Sequence, residues 1–387
     1  MSARTLGGKV NRRKALAIAA TVLLAGCQVI PKAPPTTTPT PGPSDSTLPT
    51  DEQRHRVALL VPLSGENADV GQSIANATTM ALLDTNASNI RITTYDTATG
   101  ASNAASRAIA DGNKLILGPL LGEDVTAVLS KARPAKVPLI SFSNDSSVAA
   151  GDVFVMGITP DQSIARTVSY ARSTGSSKFA ALVPNGDYGA RADAAFKAAV
   201  RNSGGTLVAS SNYDRGNTSI VSAAQRLRAS GGFDTLLIAD GARLSAMAAG
   251  AARARGATSP RLLGTELWGG ESSIAGNAAM RGAMFATVSD SRFGQFSSSY
   301  KSRFGGTPHR IATLGYDAVL LTLRIARDWK PGRAFPTEKM RDKGGFLGLD
   351  GPFRFLANGS VERAMEVREV GRSAIDVVSA APSRFDD

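Results

Sequence analysis

At 387 residues, 42% of them hydrophobic and 20% charged, the chain is too long for one ordinary domain and holds enough apolar material for two buried cores. Aromatics make up only 6%, so those cores are built from Ala, Val, Leu and Ile, which suits helices packed on a parallel sheet. The formal charge is +12; Arg4, Lys9, Arg12, Arg13 and Lys14 lie in an acid-free opening stretch, and removing these five leaves +7, dispersed without a run of like charge. Such a surface is compatible with anionic lipid or glycan. With no helix-turn-helix, zinc-finger or aromatic-interleaved basic pattern, it does not point to nucleic acid. The single cysteine, Cys27, rules out an intrachain disulfide. His55 and His309 are far apart, which excludes zinc sites built on Cys and His.

Residues 1–27 read as a targeting segment. Lys9 to Lys14 is a basic region, and Ala15 to Leu24 is an apolar run too short to span a bilayer. It ends in Leu24-Ala25-Gly26-Cys27, which resembles the bacterial lipobox, in which the Cys thiol is diacylated. The alternative is a secretory signal with a chance cysteine, but the only cysteine of the chain stands where lipidation needs it. Several acyl chains give stable anchoring. Gln28 follows; by resemblance to lipoprotein sorting in Gram-negative bacteria, the absence of Asp there favours the periplasmic face of the outer membrane. Residues 28–53 are rich in Pro and Thr, a composition that tends to polyproline II and serves as a tether. Its 26 residues extend at most roughly 80 Å.

The folded part begins near Arg54. Val57–Pro62 predicts a strand, and Leu63-Ser64-Gly65 turns it into a helix over Asp69–Thr85, with Ser64 placed to cap that helix or to meet an anion at its N-terminus. Ile90–Asp96 is a second strand and Thr99–Asp111 a helix. Leu115–Leu117, the turn Gly118-Pro119, the helix Gly122–Lys131 and the strand Val137–Phe142 make a βαβ unit. Ligands of open parallel sheets sit beyond the carboxyl ends of the strands. That places Gly118, Pro119 and Leu120 after one strand and Ser141, Ser143 and Asp145 after the next as cleft candidates. Asp145 reads equally well as an N-cap before Ser146-Ser147.

After an extended run at Val153–Ile158 the rhythm restarts. Helices are expected over Asp161–Ser173, Ala190–Ser203, Ser219–Ser230 and Leu244–Gly256. Strands are expected over Phe179–Val183, Thr206–Tyr213, Thr235–Ala239 and Arg261–Gly264. Pro184 to Gly189 reads as a loop carrying Tyr188, either a cleft aromatic or packing for the next helix. Asp240 follows one strand and Glu266 another. Gly282–Val288 is a further extended run. Phe293–Phe304 and Ile311–Trp329 are helices with no strand between them, and Phe353–Leu356, Asn358-Gly359 and Arg363–Val370 read as a hairpin. The late helix pair needs a sheet to cover and returns to the first array. The fold class is therefore α/β, two doubly wound Rossmann-like lobes joined by three crossover segments around a hinge. Lobe 1 comprises residues 54–152 and 291–345, lobe 2 comprises 153–290, and 346–387 form the last crossover with its hairpin.

Pro62-Leu-Ser-Gly65, Gly118-Pro119, Ser141, Asp187-Tyr188-Gly189 and Tyr316-Asp317 resemble the type I periplasmic binding proteins of the Leu/Ile/Val-binding kind. A closer resemblance is to the bacterial lipoproteins called penicillin-binding protein activators. It is carried by Gly118-Pro-Leu120, Val137 to Asp145, Leu182-Val-Pro184 with Tyr188-Gly189, Phe346 to Phe355, and Ala381-Pro382-Ser-Arg-Phe385. That resemblance implies a non-catalytic partner of a penicillin-binding protein, a peptidoglycan synthase whose activity it stimulates. The alternative is a lipid-anchored solute-binding protein that delivers an amino acid or amide to an ABC transporter. A third reading is a sensor partner whose closed state gates a receptor.

In the amino-acid-binding relatives, hydroxyls after the third and fourth strands grip the ligand carboxylate. The corresponding positions are Leu121, Ser143 and Asp145: Leu121 has no hydroxyl, and Asp145 sets a carboxylate against a carboxylate. Glu266 falls where the relatives place an acid for the ligand amine; otherwise it is a solvated loop acid. With Ser64 and Tyr316, these complete the cleft candidates. No nucleophile elbow, P-loop or dinucleotide motif is present. Neither a catalytic site nor a cofactor is expected; the expected partners are the synthase, the membrane through Cys27, and a small-molecule ligand in the inter-lobe cleft.

Overall fold

A computed structural model describes residues 53–253 and 259–385. The targeting segment with Cys27, and the tether up to residue 52, lie outside the described residues. Lobe 1 opens with β1 (His55–Val61), α1 (Ala68–Thr85), β2 (Ile90–Asp96), α2 (Ala101–Ala110), β3 (Leu115–Leu117), α3 (Gly122–Ala132), β4 (Leu139–Ser141) and β5 (Val153–Val155). Its sheet is parallel in the order β2-β1-β3-β4-β5. Val57, Leu59 and Val61 enter the core on one face; Ala58 and Leu60 enter the core on the other. Strand side chains alternate between faces, so a sheet covered on both sides needs an unbroken apolar run, which VALLV supplies.

Lobe 2 follows with α4 (Pro160–Ser173), β6 (Lys178–Pro184), α5 (Asp187–Asn202), β7 (Thr206–Tyr213), α6 (Ser219–Ser230), β8 (Thr235–Ile238), α7 (Ala242–Ala252), β9 (Arg261–Leu263) and β10 (Met284–Thr287). The chain then returns to lobe 1. Helices α8 (Phe293–Phe304) and α9 (Ala312–Ala326) pack against α1. A Cβ at Gly315 would stand 2.7 Å from the Ile74 carbonyl oxygen, so glycine there lets α9 close on α1. A small antiparallel sheet, β11 (Phe346–Gly348), β12 (Gly351–Phe355) and β13 (Val361–Arg363), completes lobe 1. Strands β14 (Glu366–Val370) and β15 (Ile375–Ser379) extend the lobe 2 sheet to the order β15-β14-β10-β9-β8-β6-β7.

Three expectations change. The single strand read over Arg363–Val370 is two: β13 pairs with β12 and β14 with β10, because the chain passes from lobe 1 to lobe 2 at Ala364-Met365. The extended run from Val153 is a strand only to Val155, pairing β4 within the lobe 1 sheet; the first passage is therefore Met156–Thr159. The helix expected from Ala190 starts at Asp187. Gly186 turns the chain at φ +99, and Gly189 tucks against the Pro184 carbonyl, which a Cβ would approach to 1.7 Å.

The second passage lies between β10 and α8, at Val288–Arg292, and the three passages are tied to one another. Arg363 Nη2 donates to the Met156 carbonyl, and Gln162 Oε1 accepts from Arg363 N at 2.8 Å. Asp290 accepts from Arg310 at 3.2 Å and pairs with Arg368; Arg310 also reaches Asp350 at 2.7 Å. Asp317 packs below this network, its carboxyl pushed up to about 7 by burial and by the charge of Asp350.

Candidate functional site

At the carboxyl ends of the strands the two lobes meet where Asp145, after β4, reaches Arg191 on α5. On the lobe 1 side, Gly118 has φ +110, and a Cβ there would lie 2.1 Å from the Leu60 carbonyl; the close approach of β1 and the turn requires glycine. Ser141 Oγ donates to the Pro119 carbonyl at 3.0 Å and accepts from Ser143 N at 3.2 Å. Ser143 Oγ accepts from Asp145 N at 3.0 Å. Leu120 is buried in the core and Leu121 packs against it. The hydroxyls of this rim are thus engaged in holding the loop.

Asp145 does two things. Its Oδ1 accepts from Ser147 N at 2.9 Å and Ser147 Oγ at 2.6 Å, capping a short 3-10 turn. Its Oδ2 accepts from Arg191 Nη1 at 3.1 Å. Arg191 lies on α5, so this ion pair runs from one lobe to the other. Ser146 Oγ meets Asp161 Oδ1, at the start of α4, at 3.5 Å. Asp145 Oδ2 also packs at the N-terminus of α3, 3.4 Å from where a Cβ of Gly122 would be.

The lobe 2 side gathers acids and aromatics. Tyr188, in the first turn of α5, places its hydroxyl 2.9 Å from Thr265 Oγ1 and donates to Glu266 Oε1 at 3.0 Å. Arg215 lies over the Tyr188 ring, 5.2 Å from its centroid, and donates to Asp240 Oδ2 at 2.9 Å. Tyr213 donates to the same oxygen at 2.6 Å. Asp240 Oδ1 accepts from Gly241 N. Glu266 is only 9% exposed, and its Oε2 is buried without a partner. Burial pushes its carboxyl up to about 7, the charge of Asp161 adds to the rise, and the Tyr188 and Thr265 bonds oppose it. Burial, and then the negative charge of Glu266, raise the Tyr188 hydroxyl as well.

Two candidates stand apart. Ser64 does not cap α1, which starts at Ala68 after Asn67; its hydroxyl donates to Asp96 Oδ2 at 2.9 Å, beside the Leu63 N–H bond to Asp96 Oδ1 at 2.8 Å. Tyr316 donates to Asp84 at 3.1 Å and lines a hollow between α1, α8 and α9 instead. Glu266 is no solvated loop acid. Residues the sequence reading did not single out are Arg191, Arg215, Tyr213 and Thr265. Arg191 follows Tyr188 by three positions, hence on the same face of α5; that spacing was the one available signal.

The family model for periplasmic binding proteins matches residues 55–374. The chain belongs to the periplasmic binding protein family. The solved structure of a leucine binding protein from Thermotoga maritima superposes with a TM-score of 0.64 at 21% identity, covering 84% of this chain and 98% of that one. A solute binding protein of an ABC transporter from Rhodopseudomonas palustris BisB5, in complex with 3,4-dihydroxybenzoic acid, gives 0.65 at 20% identity over 86% and 98%. At these identities the likeness is one of fold. An uncharacterised protein of Rickettsia prowazekii (strain Madrid E) is 29% identical over 140 residues, which span 36% of this binding protein and 38% of the relative's own length. Among the described residues, no helix is long and apolar enough to cross a membrane.

Proposed function

We propose that this is an extracytoplasmic solute-binding protein that closes its two lobes on a small molecule carrying a cationic or N–H-donating nitrogen, for delivery to an ABC transporter. The observation that carries this reading is Glu266 Oε2, a buried carboxylate oxygen without a partner among the cleft loops. Leaving such an atom unpaired costs stability, and a ligand amine or amide supplies the missing donor. At the other rim Leu121 offers no hydroxyl, and the place beside the α3 N-terminus is held by the carboxylate of Asp145. The ligand end facing lobe 1 is accordingly an amide or amine in preference to a free carboxylate. The test is a thermal-shift series with amino acids, their amides and polyamines. A ligand at 100 times its Kd stabilises the folded state by about 2.7 kcal/mol. A flat response across the series rejects the reading.

A second reading keeps the resemblance to penicillin-binding protein activators, with Cys27 as lipid anchor on the outer membrane and a peptidoglycan synthase as partner. The Asp145–Arg191 pair favours it, since the chain's own carboxylate already joins the lobes. Pull-down from membranes with the acyl anchor intact, followed by a glycan-polymerisation assay on the captured synthase, tests it. Activation with no thermal shift selects this reading over transport.

A further inference from the structure

At the end of lobe 1 away from the cleft, the amino ends of β1 and β3 gather cations. Arg54, Arg56 and Lys114, with His55 and Trp329, line a cavity of about 160 Å³. A second cavity of about 210 Å³, which shares Arg56, adjoins it. Among the described residues, no acid forms an ion pair with Arg56 or Lys114. Arg56 Nη1 donates at 2.8 Å to the Asp111 backbone carbonyl, while the Asp111 carboxylate is taken by the Tyr95 hydroxyl at 2.6 Å. Lys114 makes no ion pair among the described residues. Between them stands His55, 4% exposed, its ring stacked on Trp329 with centroids 4.1 Å apart and its Nδ1 buried without a partner. Burial lowers the pKa of that imidazole. A guanidinium and an ammonium line one cavity, with the His55 ring in its wall, and form a donor set for a multi-oxygen anion.

We propose that this edge of lobe 1 is a binding site for a phosphate-type oxyanion, gripped by Arg56 and Lys114 with the imidazole of His55 in its wall. The anion is either a free phosphate or the phosphate of a lipid headgroup. The described chain begins at this edge with Gln53, so the site adjoins the point at which residues 1–52 join the fold.

The test uses the full chain and NMR of its imidazoles. With only two histidines, His309→Gln assigns the His55 signals. Inorganic phosphate is titrated at fixed pH against chloride at matched ionic strength. The expected result is a saturable shift of His55 with His309 unmoved, weakened about tenfold or more by Lys114→Gln and unchanged by Lys131→Gln, a control on the exposed face of α3. Co-sedimentation with phosphatidylglycerol–phosphatidylcholine vesicles forms the second arm. Binding that Lys114→Gln removes and phosphate competes away identifies the headgroup as the source. Phosphate binding without vesicle binding identifies free phosphate. If neither probe moves His55, or if the shift survives Lys114→Gln undiminished, the site does not exist.

Discussion

The two lobes repeat one plan and use it differently. The order β2-β1-β3-β4-β5 in lobe 1 is matched by β7-β6-β8-β9-β10 in lobe 2. The first strand of each leads to a proline, Pro62 just after β1 and Pro184 at the end of β6, whose carbonyl is packed by a helix glycine: Pro62 by Gly71, Pro184 by Gly189. The loop after it is pinned to an acid at the end of the second strand, Ser64 to Asp96 and Asn185 to Asp214 at 2.5 Å. The fourth strand of each runs into a capped 3-10 turn, with Asp145 as the cap in lobe 1 and Thr265 in lobe 2. Yet lobe 1 turns its serines inward to hold its own loop, whereas lobe 2 leaves Glu266 with an unpartnered oxygen. The shared scaffold sets where the loops stand, and the side chains decide which lobe has bonding capacity left for a ligand.

The largest effect tests the shared scaffold. Gly71→Ala and Gly189→Ala each place a Cβ 1.7 Å from a carbonyl oxygen, so the helix must move off its strand. Each substitution is expected to cost about 3 kcal/mol and to lower the melting temperature by roughly 6–12 °C in calorimetry. Equal losses support the equivalence of the lobes; a neutral result at either glycine breaks it.

Next comes the pH response of Glu266. Its carboxyl ionises near 4.5 when unfolded and at about 7 when folded, so the folded protein holds the extra proton between those values. Stability from this group is therefore full below about 4.5, falls as pH rises to about 7 and stays low above. Glu266→Gln lacks this slope. Measured by denaturant unfolding at pH 5 and pH 8, the variant is expected to gain relative to the parent by on the order of 2–3 kcal/mol. Asp317, also raised to about 7, is present in both proteins and cancels. A constant difference between the two would show that Glu266 is solvated.

The asymmetry in spare bonding capacity is sharpened by ligand binding. For the compound with the largest thermal shift, Glu266→Gln is expected to weaken affinity tenfold to a hundredfold, as loss of a charged hydrogen bond does. Ser143→Ala, whose hydroxyl already serves Asp145 N, is expected to change it less than about threefold. Calorimetric titration reads both. A larger effect at Ser143 would move the grip to lobe 1.

Much of this was legible in the residues. β2, β7, α6 and α8 are read to the residue, because each is punctuated by glycine, proline or small polar residues. What stayed hidden depends on distance in space. The apolar–polar alternation breaks at Glu362 to Met365, where two polar residues precede two apolar ones, but one such break inside a hairpin arm does not by itself mark the passage between lobes at Ala364-Met365. Ser64 has the chemistry of a cap, and only the fold brings Asp96, 32 residues on, within reach. Glu266 looks like any loop acid until Tyr188 and the start of α4 are packed over it. Arg191 acquires a role only because Asp145 faces it from the other lobe.

That last pair yields the smallest effect and the finest discrimination. The Arg191 and Asp145 side chains are 24% and 17% exposed, so solvent and salt screen the attraction, and a double-mutant cycle with Arg191→Met and Asp145→Asn is expected to give about 0.5–1 kcal/mol of coupling. Because the pair bridges the lobes, Arg191→Met is also expected to raise the radius of gyration in small-angle scattering by opening the hinge. Ligand affinity then separates two mechanisms. If the ligand closes the lobes with the pair intact, Arg191→Met and Asp145→Asn both weaken binding, since each removes part of the closed state's stability. If a ligand carboxylate instead displaces Asp145 from Arg191, Asp145→Asn strengthens binding while Arg191→Met weakens it. Opposite signs for the two variants would mean that Asp145 competes with the ligand for Arg191, and that the lobe 1 rim holds its place until a ligand arrives.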